Sequence, residues 1–367
     1  MASFGFRFSD NYQYRLAEAL NNYINWINYA SSVLITVHNS VSIFNQQMNN
    51  LLEDESYLKF NFSIPSSFEE IQESLKYFLG PTYFSKENTL IHQNNKEKEV
   101  TWGQLTEVCE KENEIIPAPA SEEIKKLFNQ VKDNFEQITQ INQCIIEHIT
   151  SKSYLQDYKQ KLEIAYDLIK EMEIKFDIYD ELKNELDLKI WEIHFNHYQD
   201  SINYPTNYIY KSMEECITLA QSIIYSFRFG ESIKNVEKYI ASLNEKIAEF
   251  NTNKDEILKE IQKLDIQHWE KDVPKDYLSS RYAMFMYQLK VIISDYESFH
   301  KNENHINLDS YFSKAYYFYN RKFFYVYKND LISYYNSSLF VSNHYFLKKT
   351  FEPMWFKMIP PNQSNQG

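Results

Sequence analysis

The stretch I-K-N-V-E-K-Y-I-A-S-L-N-E-K-I-A-E-F-N-T-N-K-D-E-I-L-K-E-I-Q-K-L, running from Ile233 to Leu264, decides the fold. Its apolar residues return at alternating spacings of three and four: Ile233, Val236, Ile240, Leu243, Ile247 and Phe250, then a polar break at Lys254, then Ile257, Ile261 and Leu264. A spacing of that kind puts one apolar line along one side of an α-helix and suits a helical partner, as in coiled coils. Glu, Lys and Asn fill many of the other positions, as a solvated helix face requires. Gly230 stands just before the stretch, where a preceding helix would end in the left-handed conformation.

The same pattern recurs upstream. Leu155, Tyr158, Leu162, Ala165, Ile169, Met172, Phe176, Tyr179, Leu182 and Leu186 form a second seam, opened by a Ser153/Gln156 capping box. Continued to Trp191 it predicts a helix of roughly 58 Å at 1.5 Å per residue. An amphipathic helix that long needs an equally long partner. A third seam, Ile124, Leu127, Val131, Ile138, Ile141 and Ile145, supplies one, and the short polar break 150–153 turns it back antiparallel to the second. An N-terminal helix is expected from Asp10, capped by Gln13, to about Glu55. Further helices are expected at 207–229, 276–300 and 308–349, separated by Tyr204-Pro205 and Pro274.

The pattern changes between 56 and 119. Leu58, Phe60, Phe62 and Ile64 alternate in the manner of a strand, a short helix is expected from Ser66 to Leu79, and Thr89 to Trp102 reads as a hairpin around Asn94-Asn95. The expected fold is therefore mainly all-α, an elongated bundle of long, coiled-coil-like helices with a small mixed α/β insert. Its expected parts are a long helix at 1–55, the mixed insert at 56–119, an antiparallel helical hairpin at 120–200, helices at 201–306 that include a separate coiled-coil arm at 231–268, an aromatic and basic helical segment at 307–358, and a disordered tail at 359–367.

Composition narrows function. Only 5 glycines and 9 prolines in 367 residues leave little material for tight turns or phosphate loops. A formal charge of −13 opposes general nucleic-acid binding, which needs a basic face for the phosphates. No window approaches the length of an apolar membrane span, and the first residues lack the charged and apolar regions of a signal peptide, so the default expectation is cytoplasmic. Cys109, Cys144 and Cys216 match no zinc or redox spacing and are expected to be isolated buried thiols. Abundant Asn, Lys, Ile and aromatics bear the stamp of an AT-rich genome.

No Gly-x-Ser-x-Gly, P-loop, His-Glu-x-x-His or dinucleotide fingerprint is present, and no enzyme activity, cofactor or small-molecule substrate is expected. Metal binding in helical bundles uses paired Glu-x-x-His units. Glu297 and His300 form one such unit without a second, and His194 with His197 could grip a metal across one helical turn or simply be a surface pair. An aromatic followed by Asn recurs at Phe44-Asn45, Phe128-Asn129, Phe195-Asn196, Phe250-Asn251, Tyr319-Asn320 and Tyr335-Asn336, and Asn returns every third residue at Asn22, Asn25 and Asn28. Asn is a mediocre helix former, so these positions fit either interhelical hydrogen bonds that fix register or plain composition.

The C-terminal stretch from Tyr311 to Lys357 carries 18 aromatics and a local charge of +5. Tyr316, Tyr317, Tyr319, Arg321, Lys322, Phe324, Tyr325, Tyr327 and Lys328 are the expected partner-binding residues of this basic aromatic patch, the alternative being that the aromatics are the core of a terminal bundle. The function expected is a non-catalytic scaffold or assembly subunit, part of a larger bacterial or phage complex, with a protein partner, self-association or both. The alternatives are a membrane-engaging protein of the pore-forming-bundle type and a helical-bundle metalloprotein.

Overall fold

The computed structural model describes residues 8–53, 82–83, 99–100, 102–150, 158–198, 207–229, 233–267, 277–302, 326–338 and 347–351. These residues are almost wholly helical. The helices are α1 (Phe8–Glu53), α2 (Trp102–Glu112), α3 (Ala120–Thr150), α4 (Tyr158–Tyr198), α5 (Asn207–Phe229), α6 (Ile233–Gln267), α7 (Tyr277–Asn302) and α8 (Ser333–Ser338), with a 3-10 turn at Asn113–Ile115 and a π-helical turn at Val326–Ile332. The all-α reading holds.

Two features of the expected insert differ. The short strand β2 (Glu99–Val100) pairs antiparallel with β1 (Thr82–Tyr83), Thr82 opposite Val100, a partner that precedes the expected hairpin; the turn expected at Asn94-Asn95 lies outside the described residues. Thr, Tyr and Val suit a pleated pair better than the polar run beside the expected turn. Trp102, expected to close a strand, instead starts α2, because Leu105 and Cys109 lie four residues apart and both are buried on one face. The strand expected at 58–64 and the helix expected at 66–79 lie outside the described residues, as does the tail at 359–367.

The chain divides into two compact units. The first comprises Met1–Asn25, Asn88–Gln93 and Ile190–Met354, the second Trp26–Glu87, Asn94–Lys189 and Trp355–Gly367. The division falls inside α1 and α4, not at helix ends.

In the first unit α5, α6 and α7 pack in succession, and the π-turn and α8 lie against α5 and α7. The deciding seam is core here: Val236, Ile240, Leu243, Ile247, Phe250 and Ile261 are all buried, with Phe250 edge-on to Tyr282 at 5.4 Å. The expected separate arm is thus corrected, since α6 lies between α5 and α7. The reason is that α5 and α7 carry apolar faces of their own for it to pack on, among them Ile209, Met213, Ile217 and Ala220 on α5 and Leu278, Tyr282, Phe285 and Leu289 on α7. The six residues Asn251 to Glu256 are exposed all the way round, which is where the seam has its polar break.

In the second unit α1 is the element that the others contact. Trp26 meets Phe128 and Phe135 of α3 edge-on at 4.9 and 6.1 Å and donates its indole N–H to Thr106 of α2. Ser31 and Tyr179 of α4 share a hydrogen bond of 3.1 Å, and His38 lies edge-on to Phe176 at 5.6 Å. Between Trp26 and His38 buried residues fall on most sides of α1, as a helix enclosed by neighbours demands. Glu123 near the start of α3 forms an ion pair with Lys189 near the end of α4, the contact an antiparallel pair makes.

Candidate functional site

Among the described residues of the first unit, a dense polar construction gathers around the five residues Leu347–Phe351, of which the first three were expected in a helix. Leu347–Phe351 has no helical or strand structure, which corrects the helix predicted to run to 349. Its backbone is held instead by side chains. Asn21 Oδ1 accepts the Lys348 N–H at 2.7 Å. Asn336 is bidentate, its Oδ1 accepting the Lys349 N–H at 2.7 Å and its Nδ2 donating to the Lys349 carbonyl at 3.1 Å. Gln221 Nε2 donates to the Thr350 carbonyl at 3.4 Å. A buried segment outside regular structure must find such partners for its peptide groups.

The two lysines are read separately. Lys348 Nζ donates to Asn25 Oδ1 at 3.0 Å. Burial pulls its ammonium down to a pKa of about 8, opposed by the carboxylate of Glu18. Burial also raises the Glu18 carboxyl, which Arg15 and Lys348 lower. Lys349 Nζ sits 4.4 Å from the centre of the Trp191 ring and 3.4 Å from Glu214 Oε1, a cation held over an aromatic face beside a carboxylate. The same Glu214 oxygen accepts the Tyr335 hydroxyl at 2.7 Å. Desolvation, then the charge of Glu214, holds the Tyr335 phenol well above its usual range, so it stays a donor. Leu347, Thr350 and Phe351 are buried around this polar centre.

The elements that place these groups follow from local sequence. Asn21 and Asn25 are one helical turn apart on α1, each directly after a buried residue, Leu20 and Ile24, so both project from one flank. Glu214 and Gln221 are seven residues apart on α5 and share a face, and Lys246 of α6 bonds the adjacent Glu215 at 2.6 Å. The pairing raises the Lys246 ammonium.

The residues singled out from the sequence are dispersed. Of the basic aromatic patch, Tyr327 is fully buried in the core of the first unit alongside Leu331, Ile332 and Tyr335. The π-turn that carries it lies against α5 and α7. Lys328 falls in that turn, and Tyr316, Tyr317, Tyr319, Arg321, Lys322, Phe324 and Tyr325 lie outside the described residues. His194 lies edge-on to Trp191 at 6.2 Å, and His197 Nδ1 bonds the Ile193 carbonyl of its own helix at 2.8 Å. Glu297 is exposed on α7, and among the described residues no three His, Cys, Asp or Glu side chains converge as a metal site would require. Cys109 and Cys216 are buried, with desolvation the main cause that raises both thiols, Cys216 to about 12, while Cys144 is exposed, contrary to expectation. It sits beside the buried Asn142 and Ile145 but on the solvent side of α3.

What the sequence missed is the strap itself. Its lysines enter the sequence pattern only as part of a charge total; of the Asn residues that hold it, Asn25 and Asn336 belong to the recurrent patterns and Asn21 does not. Among the described residues no helix is long and apolar enough to cross a membrane. Comparison with known proteins yields no match to a family model, to a curated protein or to a solved structure.

Proposed function

We propose that this chain is a non-catalytic helical scaffold, an assembly subunit that holds copies of itself or partner chains through helix faces. The observation that carries the reading is the outer face of α4 in the second unit. Its exposed positions between Glu163 and Leu188 are Glu163, Ile164, Asp167, Glu171, Ile174, Asp177, Glu181, Asn184, Glu185 and Leu188. Six are carboxylates, three are large apolar residues and none is a base. Ile174 and Leu188 are two heptads apart, so they share one helix line, and Leu188 is 70% exposed.

A face on which three apolar residues stand among six exposed carboxylates, with Lys170, Lys175 and Lys189 only half-exposed, fits a basic aromatic segment better than it fits a copy of itself, since like charges across an interface oppose association. The chain carries such a segment at 311–325, where Lys314, Arg321 and Lys322 stand among aromatics with no acid. The contact this implies joins different surfaces of two copies. Light scattering on a sizing column tests it. The expected mass exceeds that of one 44.2 kDa chain, falls as salt is raised, and returns to one chain in the double variant Ile174→Glu, Leu188→Glu. A wild-type protein that stays at the mass of one chain, with or without the substitutions, overturns the proposal.

A further inference from the structure

Nothing in the grip on Leu347–Phe351 depends on the covalent connection of that segment to the rest of its chain. Four of its backbone groups are bonded by the side-chain amides of Asn21, Asn336 and Gln221. Such amides stand in for water or a neighbouring strand, and they do so for a segment of any origin. Selectivity comes from elsewhere. Two adjacent lysines are costly choices for a segment enclosed in this way, and simple packing would be served better by apolar residues. Each lysine here has a reader of its own, Asn25 for Lys348 and the Trp191 face with Glu214 for Lys349. The flanking Leu347 and Phe351 are anchors, each almost wholly buried.

We infer that this cradle is a binding site for a non-helical segment with two adjacent lysines between apolar residues, and that in the assembled protein it takes Leu347–Phe351 from a second copy. A single chain fills the cradle with its own segment. Exchange between copies breaks and remakes the same contacts, so it needs no new chemistry and links subunits through a site whose complement is already known. The inference rests on the self-association reading above, and it names a different contact.

The test mixes two full-length variants. Lys348→Glu with Lys349→Glu spoils the segment and leaves the cradle intact; Asn21→Ala with Asn336→Ala spoils the cradle and leaves the segment intact. Both pairs of substitutions are placed in the Ile174→Glu, Leu188→Glu background, where each protein alone is expected to run at the mass of one chain with its helical circular dichroism retained, and the mixture to give a species of two chains. Two folded variants that stay apart on mixing overturn the inference. If either variant loses its helical signal, wild-type protein decides instead. A fluorescent peptide of the 347–351 sequence is expected to bind at least tenfold more tightly than the same peptide with serine at both lysine positions, and equal binding of the two, or none, overturns the inference. Wild-type oligomers that lose mass with Ile174→Glu and Leu188→Glu, from a protein whose mixed cradle variants do not pair, would leave the α4 reading standing and remove this one.

Discussion

Among the described residues, the buried polar ones of the first unit are Ser212, Ser279 and Thr350, all small hydroxyls; those of the second are Ser31, His38, Asn45, Asn134, Asn142, Asp180 and Lys183. Ser212 shares a hydrogen bond with Tyr282 at 3.1 Å and leaves the surrounding core apolar. The second unit encloses an imidazole, three amides and two charged groups. Ser31, His38 and Asn45 are spaced by seven along α1, so they form one polar line on a helix that is otherwise packed with Trp26, Ile27, Ala30, Val33, Leu34, Val37 and Val41. Such a line lowers stability and raises specificity, because a slip of α1 would set polar groups against aliphatic ones. The first unit fixes its arrangement differently, by tying a non-helical segment across helix faces with directional hydrogen bonds.

Trp26→Ala breaks the second unit where α1, α2 and α3 meet. It removes a fully buried indole, two aromatic edges and the bond to Thr106. The expected loss is about 4 kcal/mol, read as a lower urea midpoint. In the first unit the counterpart is Tyr335→Phe, which keeps the ring against Tyr210 at 6.1 Å and deletes only the hydroxyl that Glu214 accepts. A loss of about 2 kcal/mol is expected, since the acceptor is charged and keeps only Lys349. If the two losses came out equal, the contrast between a packing-held and a hydrogen-bond-held unit would fail.

Asn142→Leu sharpens the same contrast with the opposite sign. The Oδ1 atoms of Asn134 and Asn142 are buried and accept no hydrogen bond. Replacing the Asn142 amide by an apolar group of similar size relieves that penalty, and a gain of about 1 kcal/mol is expected, seen as a rise of roughly 3 °C in Tm. A loss of stability would show that the amide nitrogen contributes more than the unpaired oxygen costs.

Much of the architecture was legible because helix period is written in every turn. The seams at 124–145, 155–186 and 233–264 each name a buried face, and residues such as Ile138, Phe176 and Leu243 occupy the core as their spacing demands. The aromatic-Asn motif carried part of the candidate site: Asn336 grips Lys349, and Asn25 of the Asn-rich run holds Lys348. The missing half was the object of those side chains. A segment such as Leu347-Lys-Lys-Thr-Phe351 has no period, and its burial depends on Asn21, Gln221 and Tyr335, which lie up to 327 positions away in sequence. Local pattern does not encode contacts at that range. Helix propensity of the surrounding residues pointed the wrong way for the same reason.

The smallest effect concerns the strap and the pH scale. The Lys348 ammonium, pulled down to about 8 by burial from an ordinary value of 10.5, faces Asn25 and the carboxylate of Glu18. A depressed lysine means that the unfolded chain binds more protons than the folded one between the two values. The contribution of Lys348 to stability therefore rises with pH across that window, and the burden of enclosing a charged lysine is carried in full below pH 8. Lys348→Met carries no such burden. The difference in stability between Lys348→Met and wild type should shift in favour of wild type as the pH goes from 8 to 9.5, a range kept below the ordinary tyrosine value of 10.0, above which raised phenols such as Tyr335 begin to act in the opposite direction. Parallel urea midpoints for the two proteins throughout that range would mean that Lys348 keeps its proton in the folded cradle as readily as in water.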